Sequence, residues 1–191
     1  MTRLDRFIQW YRIRKAGQFI SKTDRVLDIG CGDGTLFNQI THIRRGVGID
    51  PDITSVIRLP NADLLPGLFP AALPDTEPFD VITLLAVLEH LPHPAQVTMA
   101  RDCFEYLKPQ GRLIITVPSP LVDQILAVLT SMKLMHGTHV EQHYGFDVKQ
   151  TPGLFEPAGL RLLCARRFEL GLNNLFVFFK PGNAEPVTGK I

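Results

Sequence analysis

The sequence predicts an α/β fold in which helices cover both faces of a mostly parallel sheet. Short apolar runs alternate with segments of helical periodicity along the chain, an order typical of βαβ units. A glycine-rich turn at residues 30–34 follows the first apolar run and opens a helical segment. Two apolar runs near the carboxyl end are joined around Gly171, and so short a connection predicts an antiparallel pair at the sheet edge.

The individual elements follow from the spacing of apolar residues and from turn residues between them. Strands are predicted at 26–29, 45–50, 79–85, 112–118, 160–170 and 173–180. Only residues 51–56 separate the second strand from the segment 57–64, so either the usual helix there has shrunk to a turn or the third strand is short and irregular. Helices are predicted at 4–20, 33–43, 95–111, 121–135 and 147–159. The last of these helices is short because proline interrupts it. Residues 59–78 are rich in proline and predict an irregular loop inside the domain.

Length and composition indicate one ordinary globular domain, residues 1–191. The chain has 191 residues and a net charge of +1, so its bulk charge does not favour a nucleic-acid partner. Its three cysteines share no close spacing, which predicts neither a disulfide framework nor a zinc site and favours a reducing, cytoplasmic compartment. The apolar run at 81–88 is far shorter than the ~20 residues of a membrane span.

The glycine turn has an unusual spacing, with Gly30, Gly32 and Gly34 at every second position. Glycine lets the backbone adopt a positive φ and lets a ligand come close to the main chain. A dinucleotide fingerprint, G-x-G-x-x-G, would need a third glycine where Thr35 stands, and no P-loop pattern is present. The turn therefore indicates a nucleotide-like ligand of another kind at the carboxyl end of the first strand.

The segment VLDIGCGDG (26–34) resembles motif I of class I S-adenosylmethionine-dependent methyltransferases. Further segments match that family in order along residues 10–180: GID ending at Asp50, NADL with Asp63, FDVITLLAVLEHLPHP, LKPQGRLIITVP and HYGFDVKQTPGLFEPAGL. The resemblance implies a Rossmann-like, doubly wound, mostly parallel sheet of seven strands with an antiparallel C-terminal pair. It also implies S-adenosylmethionine as cofactor, S-adenosylhomocysteine as product and a small-molecule acceptor.

The resemblance also implies which residues hold the cofactor. Asp50, at the tip of the second strand, is expected to accept both ribose hydroxyls. Asp63, with the Leu64 backbone nearby, is expected to accept the adenine amino group, although the connection before it is too short for the usual helix. Asp28 is expected either to orient the turn or to receive the methionyl amine. The full set of predicted cofactor-binding residues is Asp28, Gly30, Cys31, Gly32, Gly34, Asp50, Asp63, Leu64 and Leu85.

Catalytic groups are harder to identify, because a base is needed only if the acceptor must lose a proton. His143 and Tyr144 are the candidates for a general base or an acceptor contact. His139 and His143 are four residues apart, which superficially resembles a metal site, but the flanking glycines favour a loop and no metal is expected. Simple packing of this loop is the alternative interpretation.

For two segments, the sequence does not decide which partner they contact. Residues 119–146 form an apolar insertion, either a lid that implies a hydrophobic acceptor or a surface that packs on the core or on a second subunit. The basic N-terminal helix (1–20) would be solvated or would contact a lipid surface. The alternatives to a methyltransferase are a cofactor-binding module without turnover and a nucleotide-cofactor oxidoreductase. A nucleic-acid methyltransferase is less favoured, since LLAVLEHL lacks the N/D-P-P-Y/F type of motif.

Overall fold

The computed structural model describes residues 3–74, 77–119 and 147–182. Its strands are β1 (Arg25–Ile29), β2 (Arg45–Asp50), β3 (Ile57–Arg58), β4 (Ala62–Pro66), β5 (Phe79–Leu85), β6 (Leu107–Pro118), β7 (Arg161–Phe168) and β8 (Asn173–Phe179). Its helices are α1 (Arg3–Gly17), α2 (Thr35–Gln39), α3 (His93–Tyr106) and α4 (Thr151–Phe155). Short 3-10 turns occur at Leu88–His90, Val148–Gln150 and Glu169–Gly171. The predicted helix at 121–135 and nearly all of the predicted lid lie outside the described residues.

The eight strands form one sheet in the order β3-β4-β2-β1-β5-β6-β8-β7. Strands β4, β2, β1, β5 and β6 are parallel, and β8 and β7 run antiparallel to their neighbours as predicted. The chain leaves β1 to build one side of the sheet and returns to β5 to build the other. The carboxyl ends of β1 and β5 therefore flank the point where the strand order reverses, which is where ligands bind in open α/β sheets.

Two hydrophobic cores lie on opposite faces of the sheet because successive strand side chains point to opposite sides. Leu27 and Ile82 face the core that α3 and α4 cover, whereas Val26 and Val81 face the core that α1 and α2 cover. All four of these strand side chains are fully buried. The sheet is thus covered on both faces, as the alternation of strands and helices predicts.

The region between β2 and β4 differs from the sequence-based prediction of seven strands. The sequence leaves open a helix reduced to a turn or a short, irregular third strand here, and the chain forms the two-residue strand β3, which runs antiparallel to β4. Strand β4 then pairs in parallel with β2. Because the connection between β2 and β4 contains no helix, β3 occupies the sheet edge and raises the strand count to eight.

All four described helices are shorter than predicted. Helix α2 ends at Gln39 rather than at residue 43, and α3 ends at Tyr106 rather than at Gly111. For α3 the cause is local, since Pro109 disfavours the helical conformation of the residue before it and the chain continues instead as β6. Within the described ranges, no helix is long and apolar enough to cross a membrane.

Candidate functional site

The glycine turn after β1 is fixed by hydrogen bonds to the neighbouring strand. The backbone N–H groups of Gly30 and Cys31 both donate to the carbonyl of Ile49, at 2.8 and 3.3 Å. Gly34 closes the turn by donating to the Cys31 carbonyl and stands immediately before α2. The turn therefore holds a defined shape at the carboxyl edge of β1 and β2.

Gly30 and Gly32 need to be glycine for different reasons. Both have a positive φ, 74° and 51° respectively, which side-chain-bearing residues rarely adopt. A Cβ at Gly30 would stand 2.4 Å from Cγ2 of Val87, so tight packing excludes one. A Cβ at Gly32 would meet nothing within 4 Å, so it would point into open space. The turn thus exposes bare backbone at Gly32, which lines the cavity described below.

Asp50, the last residue of β2, connects the glycine turn to β2 through a hydrogen bond. Its Oδ2 accepts a hydrogen bond from the Gly32 N–H at 2.8 Å, and its Oδ1 accepts one from the Asp52 N–H at 2.9 Å. The side chain is largely buried, with 9% of its surface exposed. Each carboxylate oxygen can accept more than one hydrogen bond, so both remain able to accept ligand hydroxyl groups.

Asp28 lies inside β1, beneath the turn. Its Oδ1 accepts a hydrogen bond from Oγ1 of Thr83 on β5 at 2.6 Å. Burial raises the pKa of this carboxyl from 3.8 to about 7; the Thr83 hydrogen bond opposes the rise and the charge of Asp50 adds to it. Asp28 does not line the cavity described below. The Thr83 hydrogen bond thus holds Asp28 within the sheet, and both of its predicted roles stay predictions.

A cavity of about 1770 Å³ opens at the carboxyl edge of the sheet. Gly30, Gly32 and Asp50 line one part of it, and Leu85 at the end of β5 lines another. Much of its remaining wall is apolar, including Phe7, Ile8, Phe69, Leu91, Met99 and Leu172. Typical small-molecule pockets enclose roughly 300–1,000 Å³, so this cavity has room for more than one small ligand.

Four other predicted cofactor residues do not line this cavity: Cys31, Gly34, Asp63 and Leu64. Cys31 and Leu64 are buried in the core beneath the turn, and burial raises the pKa of the Cys31 thiol. Asp63 lies within β4 opposite Val47, rather than after the strand where the resembling family carries an acid, and its predicted contact with the adenine amino group stays a prediction. It stands three residues before the strand's end, about 10 Å from the carboxyl edge at roughly 3.3 Å per residue. It forms a salt bridge with Arg45 instead.

The chain after β2 supplies residues that sequence reasoning missed. Asp52, Ile53, Thr54 and Ser55 line a smaller cavity of about 310 Å³, which shares Gly32 and Asp50 with the larger one. The absence of a helix between β2 and β4 brings this segment beside the turn. The signal in the sequence is the short connection between β2 and β4, which departs from the pattern of the resembling family.

A partly buried polar cluster on the wall of the larger cavity was also missed. Arg12 of α1, Glu169 of the turn between β7 and β8, and Asn173 of β8 all line the cavity. Asn173 Nδ2 donates a hydrogen bond to Glu169 Oε2. Burial lowers the pKa of Arg12, while the negative charges of Glu89 and Glu169 oppose that shift. Arg12 is distant in sequence from Glu169 and Asn173, so no local pattern could reveal the cluster.

The predicted catalytic residues His143 and Tyr144, together with His136 and His139, lie outside the described residues and stay predictions. Glu89 and His90, which follow β5, do line the larger cavity. Among the residues that the structure describes, no group of three or more His, Cys, Asp or Glu side chains is placed to hold a metal ion.

Comparison with known proteins identifies the family. A family model described as a methyltransferase domain matches residues 4–165. The chain belongs to the methyltransferase domain family. A "Probable S-adenosylmethionine-dependent methyltransferase" of Mycolicibacterium smegmatis is 34% identical over 154 residues, which is 74% of this chain and 59% of that protein. A ubiquinone biosynthesis O-methyltransferase of Nitrosococcus oceani is 33% identical over 60% of this chain and 54% of its own length. The methyltransferase chain thus spans little more than half of these curated relatives.

Solved structures share the methyltransferase fold. A methyltransferase of Haloferax volcanii, solved in complex with the Trm112 methyltransferase activator, superposes with a TM-score of 0.68 at 16% identity, covering 90% of each chain. CalO1, a methyltransferase in calicheamicin biosynthesis, was solved in its SAH-bound form. It superposes with a TM-score of 0.60 at 19% identity, over 85% of this chain and 50% of its own. These likenesses support the class I, Rossmann-like fold that the sequence motifs predict.

Proposed function

We propose that this methyltransferase-family chain binds S-adenosylmethionine and transfers its methyl group to a hydroxyl oxygen of a small, largely apolar acceptor. The observation that carries the proposal is the shared edge of the two cavities. There the bare backbone of Gly32 and the carboxylate of Asp50 lie together, and a mostly apolar chamber continues from them.

The geometry supports a specific orientation of the cofactor. Asp50 is placed to accept the ribose hydroxyls, because its oxygens are fixed by backbone N–H groups and retain lone pairs. The adenine would extend into the smaller cavity between Gly32 and Ile53, in place of the position predicted from Asp63. The methionyl part would lie across the glycine turn toward Leu85, with its methyl group directed into the larger chamber.

Such a site needs to supply alignment more than chemistry. The sulfonium already activates the methyl group, so the protein must hold the acceptor oxygen, the methyl carbon and the sulfur in line. The rigid turn and the strand-end carboxylate fix the donor. The apolar wall excludes water and fixes the body of the acceptor, which converts a bimolecular displacement into an effectively unimolecular one.

The acceptor class is supported by the chamber and by the relatives. Apolar side chains such as Phe69 and Met99 would bind an apolar body. Several relatives bear the name ubiquinone biosynthesis O-methyltransferase, which favours oxygen as the methylated atom. The near-neutral charge of the chain favours a small molecule over a nucleic acid.

The test is transfer of a radiolabelled methyl group from S-adenosylmethionine to a panel of para-alkylphenols, with tRNA as the competing acceptor class. Transfer to the phenols, greater for longer alkyl chains, supports the proposal. Transfer to tRNA alone would overturn the acceptor class. Binding of cofactor with no transfer to either would identify a binding module without turnover. Quenching of NADH fluorescence in place of cofactor binding would indicate an oxidoreductase.

A further inference from the structure

The turn between β7 and β8 has an unusual backbone that places a carboxylate in the cavity wall. Glu169 and Leu170 are consecutive non-glycine residues with positive φ, 53° and 55°. The turn is held by the Leu172 N–H, which donates to the Glu169 carbonyl at 3.0 Å, and by the Ser119 N–H, which donates to the Leu172 carbonyl at 2.7 Å. Strained conformations of this kind persist where the surrounding structure imposes them, and they concentrate at active sites.

One oxygen of the Glu169 carboxylate accepts a hydrogen bond and the other is buried without one. Oε2 accepts a hydrogen bond from Asn173 Nδ2. Oε1 is buried, and no hydrogen-bond partner for it is present within the described part of the chain. The same is true of Oδ1 of Asn173, a residue that is 3% exposed. Two buried acceptor atoms on one cavity wall fit a ligand that brings hydrogen-bond donors, since an unsatisfied buried polar atom is costly.

The charges around Glu169 suit a proton acceptor. Burial raises the pKa of its carboxyl, and the Asn173 hydrogen bond and the positive charge of Arg12 partly oppose that rise. A base works best when its pKa approaches the operating pH, and burial moves Glu169 in that direction. The other titratable side chains that line the cavity are Asp5, Tyr11, Arg12, Asp50, Asp52, Glu89, His90 and Asp102.

We infer that Glu169 is the catalytic base of the methyl transfer, an inference that rests on the proposed function. Glu169 Oε1 takes the proton of the acceptor hydroxyl as that oxygen's electron pair forms the new O–CH₃ bond. The S–CH₃ bond breaks, its electron pair stays on sulfur, and the sulfonium becomes the neutral thioether of S-adenosylhomocysteine. The proton on Glu169 then passes to water. Asn173 and Arg12 are positioning residues that hold the carboxylate and its charge.

Two probes that differ in acidity test this role. The hydroxyl of para-hexylphenol has a pKa of about 10, like that of tyrosine, and must lose its proton during the reaction. Its ortho-nitro derivative is far more acidic and is largely ionised at the assay pH. Single-turnover rates of labelled methyl transfer would be measured for both phenols with the wild type, Glu169→Gln and the control Glu156→Gln, an exposed carboxylate outside the cavity.

Glu169→Gln should slow transfer to para-hexylphenol by roughly 100-fold or more, the range expected for loss of a general base. Transfer to the nitro derivative should fall by less than about 10-fold, because that acceptor needs no base. S-adenosylhomocysteine should bind with unchanged affinity, which shows that the variant is folded, and Glu156→Gln should match the wild type throughout. Loss of the acidic limb of the pH–rate profile in Glu169→Gln would further separate a base from a merely structural residue.

Two kinds of failure are distinguishable. Wild-type protein that binds S-adenosylhomocysteine but methylates neither phenol would refute the proposed acceptor class, and the base with it. Wild-type activity that Glu169→Gln retains, or loses equally on both phenols, would refute the assignment of Glu169 alone. Transfer that fails instead in His143→Asn or Glu89→Gln, while Glu169→Gln is active, would move the base to that residue.

Discussion

Replacing Asp28 with asparagine should stabilise the folded protein above neutral pH. The Asp28 carboxyl is 4% exposed, and burial raises its pKa from 3.8 to about 7. The folded protein therefore retains a proton that the unfolded chain has already released between pH 3.8 and 7. Stability consequently falls as the pH rises through that window, because ionised Asp28 is disfavoured in the folded state.

The size of the effect follows from the two pKa values. One pKa unit corresponds to about 1.4 kcal/mol, so ionisation of Asp28 costs up to about 4 kcal/mol of folding free energy above pH 7. Asparagine keeps a carbonyl oxygen that can accept the Thr83 hydrogen bond but carries no charge. Asp28→Asn should therefore recover much of this cost at pH 8 and little of it at pH 4.

Urea unfolding at pH 4 to 8 measures the effect, with Asp24→Asn as a matched control. Asp24 is also a buried carboxylate, but it forms a salt bridge with Arg112 at 3.1 Å and accepts a hydrogen bond from the Ser21 N–H at 2.7 Å. Asp24→Asn should therefore destabilise the protein, since it breaks a buried pair. If Asp28→Asn lowers the free energy of unfolding at pH 8 as Asp24→Asn does, the reasoning about Asp28 is refuted.

Three further changes test the turn, the cluster and the core. Gly32→Ala should cost about 1–2 kcal/mol of stability because of its positive φ, and should abolish S-adenosylhomocysteine binding in calorimetry, whereas Gly153→Ala in α4 should bind normally. Arg12→Met removes a charge that lowers the pKa of Glu169, so the acidic limb of the pH–rate profile should move to higher pH; an unmoved limb would contradict the electrostatic link. Phe155→Ala, at a fully buried ring, should lower the unfolding free energy by about 3–5 kcal/mol in urea, and a loss under 1 kcal/mol would show a poorly packed core.

Local patterns predicted the glycine turn and the strands beside it. Strand β2 begins and ends at the predicted residues, 45 and 50. The spacing of the three glycines predicted the turn, which lies where the strand order of the sheet reverses. These features depend on residues close in sequence. The position of Asp63 inside β4 could not be predicted in this way, because the connection before β4 contains no helix and a motif does not record where a strand begins.

The polar cluster that contains Arg12 and Glu169 could not be predicted in the same way. Arg12 and Glu169 lie at opposite ends of the chain and meet only because α1 and the β7–β8 turn converge on the same edge of the sheet. Neither residue belongs to a recognisable motif. The backbone conformation of Glu169 is likewise a product of tertiary packing, since its sequence contains no glycine at the positions with positive φ before Gly171.

Calorimetric titration of S-adenosylhomocysteine tests the central claim, a cofactor site formed by the glycine turn and Asp50. The account predicts saturable one-to-one binding to the wild type and to Glu105→Ala, an exposed carboxylate on α3. It predicts roughly 10- to 100-fold weaker binding by Asp50→Ala, the loss expected for charged hydrogen bonds. Absence of binding heat in the wild type, or undiminished affinity in a folded Asp50→Ala variant, would contradict the account.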